Sequence, residues 1–252
     1  MPATPAWPLS SLPRLFVEQP LSQDAVVILD GPAANYLGAV LRLGAGDTVK
    51  LFDDRSGEWL AEVTDAGKRR ISLHIVRKLR EREEVPDLWL LFAPIKRGRI
   101  DWLVEKATEL GVARLVPAIT QRTIVDRVNI ARLRAHAIEA AEQCDRTALP
   151  ALEDPQKLER LLADWPSDRA LLFADEAGGE PLARAAEIRG PAAILIGPEG
   201  GFTDAERAAI RAVPAARAVS LGPRILRADT AALAAISLWM AAAGDWSTAT
   251  NR

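Results

Sequence analysis

Two runs of glycine and proline carry the residue types best suited to holding a small molecule. The first is Ile196-Gly197-Pro198-Glu199-Gly200-Gly201-Phe202 and the second is Leu221-Gly222-Pro223-Arg224-Ile225-Leu226-Arg227. Three glycines and a proline make the first a rigid loop with little side-chain bulk, so a ligand can approach its main-chain groups closely. Each run leaves an apolar stretch and enters a helical pattern, and ligands of open α/β sheets bind at the carboxyl ends of strands. One Gly-Pro turn would be ordinary punctuation; two at successive strand ends read as a pocket. Glu199 and Arg227 place an acid and a cation at these loops, which brings proton transfer and charge stabilisation within reach.

Several other chemistries find no support in the chain. There is no G-x-x-x-x-G-K-[ST] phosphate loop, and Gly44-Ala45-Gly46 lacks the third glycine and the helix of a dinucleotide fingerprint. Neither serine nor cysteine sits in a nucleophile elbow. Cys144 could attack a pyrimidine ring, but it falls on the apolar stripe of its helix, where a buried inert thiol is expected. One cysteine excludes an internal disulfide, and two histidines leave too few partners for a protein-built zinc site. No metal is expected. Cysteine usage fits a reducing, cytoplasmic compartment. The proline-rich start, Met1–Pro13, reads as a disordered tail rather than a signal peptide, and no apolar run reaches the ~18–20 residues that span a bilayer.

The elements that must position the loops follow from periodicity. Residues 14–80 are β-rich, with strands expected at Val26–Leu29, Thr48–Asp53, Glu58–Val63 and Ile71–Val76 and turn formers such as Asp30-Gly31-Pro32 between them. Their spacing predicts a small barrel. A charged linker, 81–87, precedes an α/β domain over 88–252. Its buried strands are expected at Leu88–Ala93, Ala170–Ala174, Ala192–Gly197 and Ala218–Leu221. Ile100, Leu103, Val104, Ala107 and Leu110 share a helical face closed by Gly111. Ile130, Leu133, Ala137, Ala141 and Cys144 form a second stripe, and Thr203-Asp204-Ala205-Glu206 is a capping box. The last helix, about Thr230–Ala243, contains no charged residue, so it is covered either by its own core or, the favoured reading, by a second subunit.

The net charge is −2, but the charges are segregated. Between Lys68 and Arg82, seven basic residues face one acid, Glu81. Lys96, Arg97 and Arg99 follow, then Arg114, Arg122, Arg127, Arg132 and Arg134 against Asp126 alone. Such a distribution suits a basic face for phosphates, although ordinary solvated surface is equally consistent with it.

At IGPEGG (196–201), LGPRILRADTA (221–231) and EQCDR (142–146) the chain resembles the bacterial 16S ribosomal RNA uridine-N3 methyltransferase family of the SPOUT superfamily. Arg14-Leu15-Phe16, Val40-Leu41-Arg42 and Glu109-Leu110-Gly111-Val112 with Pro117 extend the resemblance over about residues 14–243. Asp229 departs from it, since the family more often has glutamate there. The resemblance implies a PUA-like RNA-binding barrel, a SPOUT α/β domain with a deep trefoil knot, and a homodimer. It also implies S-adenosyl-L-methionine held by Leu172, Phe173, Ala174, Ile196, Gly197, Pro198, Glu199, Gly200, Gly201, Ser220, Leu221, Gly222, Arg224, Ile225 and Leu226. The substrate would be 16S ribosomal RNA or the assembling small subunit.

Methylating uracil N3 requires loss of its proton and stabilisation of the resulting charge. The catalytic candidates are Arg227, Arg146 and Glu199. Arg227 would stabilise that charge or touch phosphate, or else form a surface ion pair. Arg146 would reach the pocket across a dimer, or bridge to Glu142. Glu199 would accept the proton, hold the donor's amino group, or only favour the following helix end. Asp229 is expected to cap the last helix. Arg14, Arg42, Lys96, Arg97, Arg99 and Arg122 are expected to bind RNA. The competing readings are a SPOUT enzyme for another RNA or for ribose 2′-hydroxyl, and a non-catalytic RNA-binding assembly factor.

Overall fold

Alternating burial along short strands builds the first of two units, described in a computed structural model that covers residues 8–67, 69–125, 127–186 and 190–247. Residues 1–7 of the expected tail, Lys68 and Asp126 lie outside the described residues. Strands β1 (Arg14–Phe16), β2 (Val26–Asp30), β3 (Thr48–Phe52), β4 (Glu58–Ala66) and β5 (Arg70–Arg80) form one sheet in the order β1-β3-β4-β5-β2. On β2, Val27 and Leu29 turn into the core while Val26 and Ile28 face out, the two-residue period of a half-buried strand. The expected turn at Asp30-Gly31-Pro32 is instead the entry to helix α1 (Gly31–Asn35), which runs on as a wider turn through Val40. Proline is tolerated there because its missing N–H falls in the first helical turn.

The boundary after Glu84 falls inside the expected linker, but the first unit also takes Ala141–Ala148, which the sequence reading had placed wholly in the α/β domain. The physical reason is a set of buried polar bonds. Arg14 is ion-paired with Glu58 and donates to the carbonyls of Ala141 and Arg146. The Glu83 carboxylate accepts from the amides of Thr147 (2.8 Å) and Ala148 (3.0 Å).

The second unit, Val85–Ala140 with Leu149 onward, is a parallel sheet covered by helices on both faces. Its strands are β6 (Leu88–Phe92), β7 (Arg114–Ile119), β8 (Ala151–Leu152), β9 (Gln156–Lys157), β10 (Ala170–Ala174), β11 (Glu180–Pro181), β12 (Ala192–Ile196) and β13 (Ala216–Ser220). They lie in the order β11-β13-β10-β12-β6-β7-β8, with β9 also pairing β7. Its helices are α2 (Arg99–Glu109), α3 (Ile130–Gln143), α4 (Leu158–Ala163), α5 (Leu182–Ala185), α6 (Asp204–Arg211) and α7 (Ala228–Ala242). Leu90, Ile194 and Ile196 pack with α2 and α7, whereas Leu91, Ala193 and Leu195 pack with Leu158 and Ile210 on the other face. That two-sided burial is why these strands read as continuous apolar runs.

Strand β7 escaped the sequence reading because Pro117 lies inside it. The strand tolerates the proline since its outer neighbours change there: β8 pairs as far as Leu115 and β9 takes over at Ala118. Helix α2 ends as Gly111 anticipates. Gly111 has φ +93°, its amide donates to Thr108 O, and Val112 N donates to Ala107 O, which satisfies the last carbonyls. Helix α7 buries Ala231, Ala232, Ala235, Ile236, Trp239 and Met240 in its own core and leaves Leu238 exposed.

Candidate active site

The carboxyl ends of β10, β12 and β13 open onto one cleft of about 820 Å³. Both glycine loops line it, with Ala174–Glu176 from the end of β10, Lys96 from the loop after β6 and Arg99 from the start of α2. Of the residues expected to hold a cofactor, Ala174, Ile196–Gly201, Ser220, Leu221, Gly222 and Arg224–Leu226 are brought together here. Leu172 and Phe173 are not. Both lie inside β10, fully buried, and face the two opposite cores of the sheet. A strand opens to the crevice only at its end, so the expectation for these two is corrected. Asp175, which the resemblance also places at the donor pocket, lines the cleft with Glu176 and Gly178, and the strand-end rule applied to Ala170–Ala174 would have found these last two.

The first glycine loop is fixed by its neighbours. A Cβ on Gly197 would come within 3.0 Å of the Phe202 ring, and Gly201 has φ +67°, a conformation that side chains disfavour. Phe202 is buried and anchors the loop's exit. The capping box forms as expected, with Thr203 N donating to Glu206 Oε2 (2.9 Å) and Glu206 N to Thr203 Oγ1 (3.2 Å). The same buried Glu206 accepts from Gln121 N through its other oxygen (2.7 Å). Next to Gln121, the Arg122 guanidinium donates to Gly200 O (2.6 Å), and its aliphatic part lies 3.4 Å from where a Gly200 Cβ would stand. Arg122, expected to bind RNA, is exposed and also braces the carbonyl of a loop that lines the cleft. The turn after β7 is a bracket for this loop that no local sequence pattern could reveal.

At the end of β10, the Asp175 carboxylate has no solvent exposure and takes an ion pair from Arg207, another from Arg211 (2.8 Å) and a hydrogen bond from the Ala177 amide (3.0 Å). Burial alone would raise its pKa, but the hydrogen bonds from Arg211 and Ala177 and the two guanidinium charges outweigh it and hold the carboxyl below its usual value. Asp175 therefore stays ionised as a structural clamp.

Arg227 is exposed at the cleft, and no acid among the described residues pairs with it. It precedes α7 as the cap position. Asp229, expected there, sits one residue inside the helix, where its Oδ1 accepts from Thr230 N and its Oδ2 lies 3.9 Å from Arg99. Glu199 is half exposed in the cleft, also 3.9 Å from Arg99. Because Glu206 caps α6, Glu199 is not needed at that helix end. Lys96 and Arg99 line the cleft, and Arg97 faces a different depression.

In the first unit, Arg42 is exposed. Arg14 is 8 % exposed, stacked 4.1 Å over Phe52 and engaged with Glu58, so its expected phosphate contact is corrected to an internal clamp. Arg146 is 5 % exposed beside Glu83 (3.6 Å) in the first unit and does not line the cleft. Its burial depresses the guanidinium's pKa against the pull of Glu83. The expected reach of Arg146 is across a dimer, so it concerns the cleft of a second copy and not the cleft of its own chain. Among the described residues, no group of histidine, cysteine and carboxylate side chains could hold a metal, and no helix is long and apolar enough to cross a membrane.

Residues 81–240 match the RNA methyltransferase domain family, and residues 29–76 match the RNA methyltransferase PUA domain family. The chain belongs to the RNA methyltransferase family. It is 31% identical to the ribosomal RNA small subunit methyltransferase E of Rickettsia conorii, over 89% of this chain and 93% of that one. The same-named protein of Bacillus subtilis is 27% identical over 89% and 94%. Among solved structures, ribosomal RNA small subunit methyltransferase E from Neisseria gonorrhoeae, bound to S-adenosyl methionine, superposes with a TM-score of 0.86. It is 29% identical and is matched over 93% of this chain and 99% of that one. A putative methyltransferase from Legionella pneumophila, also with bound cofactor, gives 0.85 at 28% identity. This RNA methyltransferase thus has a PUA domain followed by a parallel-sheet SPOUT-type domain, as the sequence resemblance implied.

Proposed function

We propose that this RNA methyltransferase uses S-adenosylmethionine to methylate N3 of a uridine in the RNA of the small ribosomal subunit, as a cytoplasmic homodimer. The observation that carries the reading is the cleft itself: two glycine loops at the ends of β12 and β13, the strands that flank β10, with Arg227 exposed at the same cleft and paired with no acid among the described residues. Its volume of about 820 Å³ lies within the ~300–1,000 Å³ of small-molecule sites. The donor set fits as well. Ile196, Leu221, Leu226 and Ala231 offer apolar surface for an adenine ring. A side chain at Gly222 (φ +105°) would meet nothing within 4 Å, so the second loop leaves open space and bare backbone. S-adenosylmethionine supplies an electrophilic methyl group when bound.

The chain's own residues then have distinct tasks. The two loops hold the donor through main-chain groups and exclude water from its apolar end. Uracil N3 must lose its proton, and Arg227 stabilises the negative charge that spreads onto the uracil oxygens. Glu199 stands in the cleft as the acceptor for that proton, with solvent as the other route. The trefoil knot that the sequence resemblance implies belongs to the same reading. The apolar residues that α7 leaves uncovered support the dimer.

Two measurements test the proposal together. Isothermal titration should show S-adenosylmethionine binding with no metal or nucleotide added. Nucleoside analysis of small-subunit RNA after incubation should show 3-methyluridine. Ribose 2′-O-methylation would move the enzyme to the other SPOUT chemistry, and RNA binding without donor binding would make the chain an assembly factor.

A further inference from the structure

A second, smaller cleft of about 270 Å³ lies on the other side of the loop that follows β6. That loop and the start of α2 divide between the two depressions: Lys96 and Arg99 line the large cleft, whereas Ile95, Arg97 and Ile100 line the small one. Arg127, Asn129 and Arg132 complete its rim. Among the described residues, the charges around it do not cancel. Arg132 is matched by Asp101, 3.1 Å away, and the same carboxylate oxygen stands 3.8 Å from His136 Nε2. Arg97 and Arg127 are exposed, and among the described residues no carboxylate pairs with either or lines the cleft. The cleft also sits at the start of α3, a 14-residue helix with no acid in its first turn, so the positive end of the helix adds to the two guanidinium charges.

We propose that this second cleft binds one phosphodiester of the RNA that the enzyme methylates, with Arg97 and Arg127 as its ligands. Guanidinium groups suit the task because they stay charged and present paired N–H donors to phosphate oxygens. Such a contact carries no base information; it fixes the register of the strand. Since one short loop separates the two clefts, a strand anchored here is held beside the cofactor cleft. Arg132 is a positioning residue: through Asp101 it ties the start of α3 to α2. The inference rests on the proposed RNA methyltransfer.

The test uses the full chain and small ribosomal subunits lacking the mark. Arg97→Ala/Arg127→Ala is compared with Arg97→Lys/Arg127→Lys for KM and kcat at two salt concentrations, with donor affinity measured separately. Loss of phosphate contacts raises KM for the subunits at least tenfold and flattens its salt dependence, by about 0.7 in the log–log slope per contact for a single strand. kcat at saturation and donor affinity stay within twofold, and the lysine pair falls between wild type and the alanine pair. An alanine pair with unchanged KM and slope overturns the assignment of this cleft alone. Loss of donor binding in the alanine pair shows the arginines to be structural and overturns it as well. If the wild-type protein neither binds nor methylates the subunits, the proposed function fails and takes this inference with it.

Discussion

Arg227 and Arg122 approach the same cleft and should fail in different ways. Arg227 has no acidic partner among the described residues, so its substitution disturbs little of the fold. If it stabilises charge on uracil, Arg227→Ala lowers the single-turnover rate by roughly 10² at saturating RNA, the usual loss for one preorganised donor. Donor affinity changes little. A rate that recovers fully at saturating RNA would make Arg227 a phosphate contact instead. Arg122 holds the carbonyl of Gly200 at 2.6 Å. Arg122→Ala frees that loop and should weaken donor binding by about five- to tenfold, in keeping with a partly solvated, charge-assisted hydrogen bond. RNA affinity should not move. A fall in RNA affinity with intact donor binding would return Arg122 to the role that its charge alone had indicated.

At the scale of elements, the Arg14–Glu58 clamp ties β1 and β4 to the 141–148 segment. Both side chains are at least 95 % buried, so removing one charge leaves the other uncompensated. Glu58→Gln should cost about 3 kcal/mol near neutral pH, as breaking a buried pair does. Burial by itself raises the Glu58 carboxyl, but hydrogen bonds and charge from Arg80 and Arg14 prevail and hold it below its usual 4.5. The stabilisation is therefore complete above pH 4.5 and fades as the pH falls through the depressed value. Urea unfolding of wild type and variant should accordingly differ at pH 7 and converge in acid. A difference that persists unchanged at the lowest pH where both fold would contradict an ionic origin.

For the whole molecule, the open question is what covers α7. Its inner side is packed in its own core, and Leu238 on the other side is 39 % exposed. In the proposed dimer that side meets a second copy. Light scattering should then give twice the 27.3 kDa chain mass. Leu238→Glu should give monomers of unchanged secondary structure, because the residue makes little contribution to its own core. A wild-type monomer at micromolar concentration would mean that α7 serves a single chain only.

Much of this protein is determined locally and was legible in the sequence. Four strands of the parallel sheet (β6, β10, β12 and β13), the capping box at Thr203–Glu206, the helix stop at Gly111 and the two glycine loops follow from backbone chemistry within a few residues of each feature. Those loops, IGPEGG and LGPRILRADTA, indicate the family together with EQCDR and the other matches, in that order and spacing. What needed tertiary structure depends on partners distant in sequence. Whether an arginine is a free cation or a buried clamp depends on which acid or carbonyl the fold brings to it. That separated Arg14 and Arg146 from Arg227, although all three are arginines in basic or loop segments. It also set Arg122 against the carbonyl of Gly200, 78 residues away. Residues 141–148 joined the first unit for the same reason, since amides and carbonyls there satisfy Glu83 and Arg14. Spacing and composition record where the chain can bend and what can be buried; only the folded chain decides which charges are neutralised.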